Sequence, residues 1–194
     1  MSPIDLAGFD AKFSGNDDPW STFTDRDEAR KRRAILRGIG GQKVGRVLEL
    51  AAGNGSNSAA LARLALRLDA TEGTPSGVKL VARAVAGNRR VRVSRLVLPG
   101  RFPRATYDAV VIAEMLYYLS PRDMAAVARA VAAALRPGGR LILAHHRVDY
   151  PDFVQHAAHI HRRFLAASGV AWRLGGGLRN GRWRVQTYCS GPST

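Results

Sequence analysis

The chain is 194 residues long, 46% hydrophobic, and carries a formal net charge of +15. That length suits one domain able to bury a full core without covalent staples. A single cysteine, Cys189, excludes a disulfide framework and a four-cysteine zinc site, and it fits a reducing compartment.

The positive charge invites a polyanionic partner, but its make-up argues otherwise. Of the 30 basic residues, 26 are arginine and only 4 are lysine, a bias that GC-rich coding sequence produces by itself. Apart from Arg30-Lys-Arg-Arg33 and Arg89-Arg90-x-Arg92, these residues are dispersed rather than gathered into a stripe. A nucleic-acid partner is therefore disfavoured. The longest apolar run, Ala109 to Leu119, is interrupted by Glu114, and the N-terminus lacks the basic start and apolar core of a signal peptide. A cytoplasmic protein with no membrane insertion is expected. With no internal repeat or long linker, the chain reads as one structural unit. Residues 1–44 form a covering segment with a basic helix, and residues 45–194 form the main domain.

In chain order, the first expected element is a helix over Asp27 to Leu36, where Ala29, Arg33 and Leu36 share a face. Val47, Leu48, Glu49 and Leu50 then read as a buried parallel strand. Gly53-x-Gly55 supplies a tight turn that lets a ligand approach the backbone. Ser56 or Asn57 is placed to cap a helix whose apolar positions Ala60, Leu61, Leu64 and Leu68 recur at helical spacing. Leu66 to Ala70 reads equally as a second strand ending near Glu72, and Thr74-Pro75 opens the next helix. Val91 to Leu98 and Tyr107 to Ala113 are the third and fourth strands. Pro121 starts a helix carrying Ala126, Val127, Ala130, Val131 and Leu135 on one face. Pro137-Gly138-Gly139 ends it, ahead of a fifth strand, Arg140 to Ala144. A helix from about Asp152 to Ala167 precedes two last strands, Val170 to Leu174 and Arg182 to Tyr188. These flank a glycine-rich loop, 175–181, whose Asn180-Gly181 is a reverse-turn signal.

Alternating strands and helices predict an α/β, Rossmann-like fold: a mostly parallel seven-stranded sheet, helices on both faces, and an antiparallel C-terminal hairpin. Ligands of such sheets sit beyond the carboxyl ends of the strands, where the Gly53-Gly55 turn and Glu72 both fall. Glu72, 19 residues after Gly53, suits a ribose because a carboxylate accepts hydrogen bonds from both hydroxyls. The dinucleotide pattern Gly-x-Gly-x-x-Gly is incomplete, since Ser56, Asn57 and Ser58 follow Gly55.

Three segments carry a family resemblance. Glu49-Leu-Ala-Ala-Gly53-Asn-Gly55 resembles the first motif of class I S-adenosylmethionine-dependent methyltransferases, Tyr107 to Glu114 their fourth-strand motif, and Leu135-Arg-Pro-Gly-Gly-Arg-Leu-Ile-Leu143 their late Pro-Gly-Gly motif. A narrower likeness is carried by Phe9-Asp-Ala-Lys-Phe13, Asp18-Pro-Trp20, Glu114-Met-Leu-Tyr-Tyr-Leu119 and Leu143-Ala-His-His-Arg147. These are similar to the nodulation protein S group, which N-methylates a glucosamine amine of chitooligosaccharide precursors.

The resemblance implies S-adenosyl-L-methionine as cofactor and assigns roles to matching positions. Gly53 and Gly55 would approach its methionine part, with Glu49 organising the loop; Glu72 would hold the ribose, Ala113 would lie near the methionine part, and Trp20 would cover the cofactor. Ala51 stands where the family has a glycine, and as alanine it is expected to keep the turn in ordinary backbone space. Arg95 stands where an adenine-binding acid is usual, leaving adenine to backbone and apolar contact through Leu96. Glu114 and Tyr117, with Tyr118, face the acceptor and could orient it or take its proton, and His159 is a further acceptor-pocket candidate. The five histidines, His145 to His161, lack metal-ligand spacing, so no metal is expected.

The implied function is S-adenosylmethionine-dependent N-methylation of an amino sugar or chitooligosaccharide precursor. Two alternatives stand beside it: methylation of a different small metabolite, or a catalytically weakened protein that binds cofactor or a partner, suggested by Ala51 and Arg95. No Asn-Pro-Pro-Tyr motif follows the fourth strand, which further lowers the nucleic-acid reading.

Overall fold

A computed structural model describes residues 3–190. The extreme ends of the two expected segments, 1–2 and 191–194, lie outside the described residues. The elements run α1 (Leu6–Gly15), α2 (Arg26–Ile39), β1 (Val44–Leu50), α3 (Ser56–Leu61), β2 (Ala65–Glu72), α4 (Pro75–Ala84), β3 (Val91–Arg95), β4 (Tyr107–Ala113), a 3₁₀ turn (Leu116–Tyr118), α5 (Pro121–Ala134), β5 (Leu135–His146), α6 (Ile160–Ala167), β6 (Trp172–Arg179) and β7 (Trp183–Ser190). The seven strands form one sheet in the order β3-β2-β1-β4-β5-β7-β6. The first five are parallel, and β7 joins antiparallel to both β5 and β6. This is the predicted class, Rossmann-like with a C-terminal hairpin.

The sheet separates two cores. On one face Ile35 and Ile39 of α2, Leu61 of α3 and Val81 of α4 pack with Val47, Leu68 and Val111. On the other, Val127 and Val131 of α5 and Phe164 of α6 pack with Leu48, Ile112 and Leu141. β1 and β4 are central, with both faces covered, which is why they read as continuous apolar runs. Strands β2 and β3 lie to one side of β1 and β4 and β5 to the other, so a crevice opens at the carboxyl ends of β1 and β4. Among the described residues no helix is long and apolar enough to cross a membrane.

Local chemistry explains most boundaries. Thr74 caps α4 through its Oγ1, which accepts from the Gly77 N–H, and Pro75 occupies the first turn. Asp5, Asp25 and Ser120 cap α1, α2 and α5 in the same manner. At the hairpin turn the Asn180 carboxamide oxygen accepts from the Arg182 and Trp183 N–H groups, each at 2.8 Å.

Five expectations need correction. α3 stops at Leu61, and Leu68 pairs with Val47 inside β2; burial in the sheet overrides the helical spacing. Neither Ser56 nor Asn57 caps α3, because Gly55, at φ +85°, is the N-cap and has no side chain to accept from the first turn. β3 ends at Arg95 rather than Leu98. Pro137-Gly138-Gly139 and the glycines 175–177 lie within β5 and β6 rather than outside them.

The last correction is the helix expected over 152–167, which forms only from Ile160. Upstream, the Val154 and Gln155 N–H groups donate to the Tyr117 carbonyl at 2.9 and 3.0 Å, and the Ala157 N–H donates to Asp149 at 2.6 Å. The Ala157 bond takes a donor that a helix begun at Asp152 would use, and the other two tie the segment to the 3₁₀ turn. The helix α1, by contrast, had no counterpart in the expected elements.

At Gly55 both the left-handed dihedral and the packing call for glycine. A Cβ there would lie 2.8 Å from the Ala84 Cβ and 2.9 Å from the Val81 Cα, where α3 begins against α4. Gly55→Ala should therefore destabilise the protein by about 2–4 kcal/mol, from left-handed backbone strain plus overpacking. Urea unfolding measures it, and a loss below about 0.5 kcal/mol would contradict this contact.

Candidate active site

The turn after β1 is left-handed at three positions: Ala51 (φ +52°), Gly53 (φ +62°) and Gly55 (φ +85°). Ala51 thus departs from its expected ordinary conformation. It holds a glycine-like dihedral at a cost on the order of 1 kcal/mol. The adjacent Ala52 N–H is anchored to the Thr71 carbonyl at 2.8 Å, which holds the turn onto β2. Glu72, at the end of β2, is buried. Its carboxylate accepts from the Gly53 N–H (3.0 Å), the Thr74 N–H (3.0 Å) and the Thr74 hydroxyl (3.1 Å). Burial pushes its carboxyl above the ordinary range, with those bonds acting in the opposite direction.

Glu49 lies beneath the turn rather than at the cavity. It is 2% exposed and accepts a 2.5 Å bond from the Ser58 hydroxyl. Burial drives its carboxyl up to about 8, partly offset by Ser58 and reinforced by Glu72. The neighbouring Asn54 reaches the N-terminal segment, donating from Nδ2 to the Asp18 carboxylate at 2.8 Å.

A second cluster forms where β4 ends. Glu114 is also left-handed (φ +54°), with its N–H bonded to the Ala144 carbonyl of β5 at 2.8 Å. Its carboxylate accepts from Lys31 Nζ (2.5 Å), the His146 N–H (3.0 Å) and the Tyr117 hydroxyl. Burial alone would raise the Glu114 carboxyl, but the Lys31 ammonium and the His146 imidazole outweigh it and hold the group below its ordinary value. Burial likewise raises the Tyr117 hydroxyl well above its usual range, helped by the Glu114 charge. Tyr117 stacks on Phe153 with centroids 3.7 Å apart, while Tyr118 meets Phe153 and Phe9 edge-on at 5.2 and 4.8 Å. Trp20 completes this wall against Phe9 and Phe13.

Both clusters open on one cavity of about 580 Å³, within the range of small-molecule sites. Of the expected site residues, Trp20, Ala51, Gly53, Glu72, Leu96, Ala113, Glu114 and Tyr117 line it; Glu49, Gly55 and His159 do not. Gly55 faces α4, as its packing shows. His159 is exposed at the N-cap of α6 and borders a separate 210 Å³ cavity, because the helix starts eight residues later than expected. Arg95 stays outside too, donating from Nε to the Gly73 carbonyl at 3.0 Å.

Charge distinguishes this cavity from the rest of the surface. Its lining holds Asp5, Asp25, Asp27, Glu28, Glu72, Glu114, Asp123 and Asp152, eight of the chain's fifteen acids, against Lys31 and Arg182. An acidic, aromatic-walled cavity in a strongly basic protein suits a cationic ligand.

Sequence reasoning did not reach Lys31, His146 or Phe153. Lys31 carried one signal, as one of four lysines in an arginine-rich chain, set inside Arg30-Lys-Arg-Arg33. Two other histidines serve the core. The Leu116 N–H donates to His145 Nε2 (3.3 Å), so His145 Nδ1 donates to His161 Nε2 (3.0 Å), and His161 Nδ1 donates to Gln186 (3.0 Å). Burial keeps both rings neutral, pulling His161 down to about 4.

Glu49 makes stability pH-dependent. Its carboxyl holds a proton in the folded state up to about pH 8 but loses it near 4.5 when unfolded, so stability falls as pH rises between those values. From pH 6.5 to 8.5 the Glu49 contribution alone should fall by about 2 kcal/mol, at 1.36 kcal/mol per unit, with the two buried histidines adding a smaller opposite change at the lower end of that range. Glu49→Gln should flatten most of that slope in urea titrations; an unchanged slope would show that Glu49 is ionised throughout.

Residues 48–141 match the model of a family described as a methyltransferase domain. No curated protein sequence matches the chain. Among solved structures, the N-methyltransferase NodS from Bradyrhizobium japonicum WM9, in complex with S-adenosyl-L-homocysteine, superposes with a TM-score of 0.81 at 18% identity, covering 97% of this chain and 98% of that one. A DhpI–S-adenosylhomocysteine complex gives 0.75 at 23% identity, over 97% and 96%. A phosphoethanolamine N-methyltransferase 1 from Haemonchus contortus, with phosphoethanolamine and S-adenosylhomocysteine, gives 0.70 at 15% identity, over 98% of this chain and 50% of that one. At such identities the structural likeness speaks for the fold. Residues 48–141 thus match a methyltransferase domain, set within the class I, Rossmann-like fold that the chain shares with these structures.

Proposed function

We propose that the protein N-methylates a small amine, with an amino sugar such as a chitooligosaccharide precursor as the leading acceptor. The observation that carries this reading is the acid-rich, aromatic-walled cavity at the carboxyl ends of β1 and β4. The structural likeness to two proteins named as N-methyltransferases supports it. Residues 1–44 serve as the covering segment, through Phe9, Phe13 and Trp20.

The residues present fit the cofactor. The buried Glu72 carboxylate, already oriented by three donors, would hold the ribose hydroxyls. The turn from Ala51 to Gly53 and the end of β4 at Ala113 would flank the methionine part, and Leu96 with Leu98 would pack on the adenine. S-adenosylmethionine supplies a methyl group already activated on a sulfonium, so what is asked of the protein is chiefly alignment. Glu114, kept ionised, binds the acceptor as an ammonium and orients it. Tyr118 and Phe153 line its path with ring faces that favour a cation. His146, whose Nε2 lies 3.8 Å from Glu114 Oε1, is the group placed to take the proton that the amine must lose before it attacks. The weakened-protein alternative loses its first motive, because Ala51 adopts a left-handed dihedral that glycine takes freely.

Calorimetry and a methyl-transfer assay against deacetylated chitooligosaccharides and simple alkylamines test this. Glu72→Ala should lower S-adenosylhomocysteine affinity roughly 100-fold or more, the worth of two charge-assisted bonds. Unchanged affinity would remove the ribose assignment. Glu114→Gln should raise the amine KM about tenfold or more while leaving S-adenosylhomocysteine affinity intact. Transfer to hydroxyl but not amine acceptors would overturn the proposal.

A further inference from the structure

Lys31, on α2, is 2% exposed, an uncommon burial for a lysine. Its Nζ sits between two carboxylates, 2.5 Å from Glu114 Oε1 and 2.7 Å from Glu28 Oε1. We propose that Lys31 is a positioning residue for the amine site, holding the Glu114 carboxylate ionised and aimed into the cavity, with Glu28 competing for the same ammonium. The inference rests on the amine-acceptor reading only for its consequence in catalysis.

The geometry explains the choice of lysine. Its ammonium is a compact charge with three rotatable donors, able to serve two carboxylates from different elements. The planar arginine fork, which this chain uses almost everywhere else, matches one carboxylate face at a time.

Other groups face Glu114: Tyr117 and Tyr118 from the 3₁₀ turn, His146 at the end of β5, and His161 from α6. Among the charges Lys31 acts most strongly on Glu114, ahead of His146. The tyrosines are neutral donors or neighbours, and buried His161 stays uncharged at neutral pH. Burial would lower the lysine's own proton affinity, but Glu114 and Glu28 outweigh it and keep Lys31 charged. The arrangement also compensates Glu114 for its left-handed backbone, since the three donors to its carboxylate come from α2, the turn and β5. A purely structural role, stapling α2 to the sheet, would leave the ionisation of Glu114 untouched.

The two readings separate by carbon-13 NMR titration of the glutamate carboxyls in the S-adenosylhomocysteine-bound protein, with Glu114→Gln assigning the Glu114 signal. Lys31→Met should raise the Glu114 midpoint by roughly two pH units, the effect of losing an adjacent opposite charge. Glu28→Gln, which removes the competitor, should move it the other way or leave it unchanged. In turnover, kcat/KM of Lys31→Met relative to the parent should be lowest at the acid end of the profile and recover as pH rises through the new midpoint. Lys31→Arg, which keeps the charge, should retain the low midpoint. A Lys31→Met protein that stays folded with an unmoved Glu114 midpoint would overturn the proposal. Should Lys31→Met fail to fold, an upward shift in Glu28→Gln would do so. Because the titration needs no turnover, a shifted midpoint without any amine methylation would refute the proposed function while leaving the positioning role in place.

Discussion

The site hangs on the hydrogen bond from the Gly53 N–H to the Glu72 carboxylate. It joins the end of β1, at the crevice, to the end of β2 beside it. Glu72 has no cation beside it. It is held by backbone and hydroxyl donors, which keep an acceptor-rich carboxylate buried and directed. That arrangement requires the turn after β1 to pass through left-handed backbone, which Ala51 does at some cost and Gly53 does freely. β4 repeats the device one strand away, where Glu114 turns left-handed as the chain leaves the sheet. Each strand end thereby delivers a carboxylate to the same cavity.

The two carboxylates are handled by opposite means. Glu72 is surrounded by neutral donors that fix the direction of its acceptor oxygens, an arrangement suited to bonding hydroxyls. Glu114 has a buried ammonium against it and stays charged, a state suited to binding a cation. Around them the acids concentrate inside the cavity while arginines dominate the exterior, so the field that a cationic ligand meets is the reverse of the protein's net charge. Salt and pH should thus act on this site differently from the surface as a whole.

Much of the frame was legible because its signals are local. Buried parallel strands make continuous apolar runs, which marked β1 and β4; Thr74-Pro75 and Asn180-Gly181 carry their caps and turns within a few residues. The misreadings share one cause. Leu68 was eligible for a helix by spacing but was taken by a strand partner, and the segment before Ile160 gave its backbone donors to Tyr117 and Asp149. With that helix shortened, His159 left the cavity.

By itself, then, the sequence determined the order of strands and helices, the glycine turn and the acid that follows it, because period, composition and short-range capping are written in neighbouring residues. Only the tertiary structure decided that Ala51 is left-handed, that Glu49 and Gly55 support the turn from behind, and that Lys31 meets Glu114 across 83 positions of chain. Those outcomes depend on which surfaces are buried together. Desolvation and pairing between distant residues set the charge states of the site, and no local pattern encodes them.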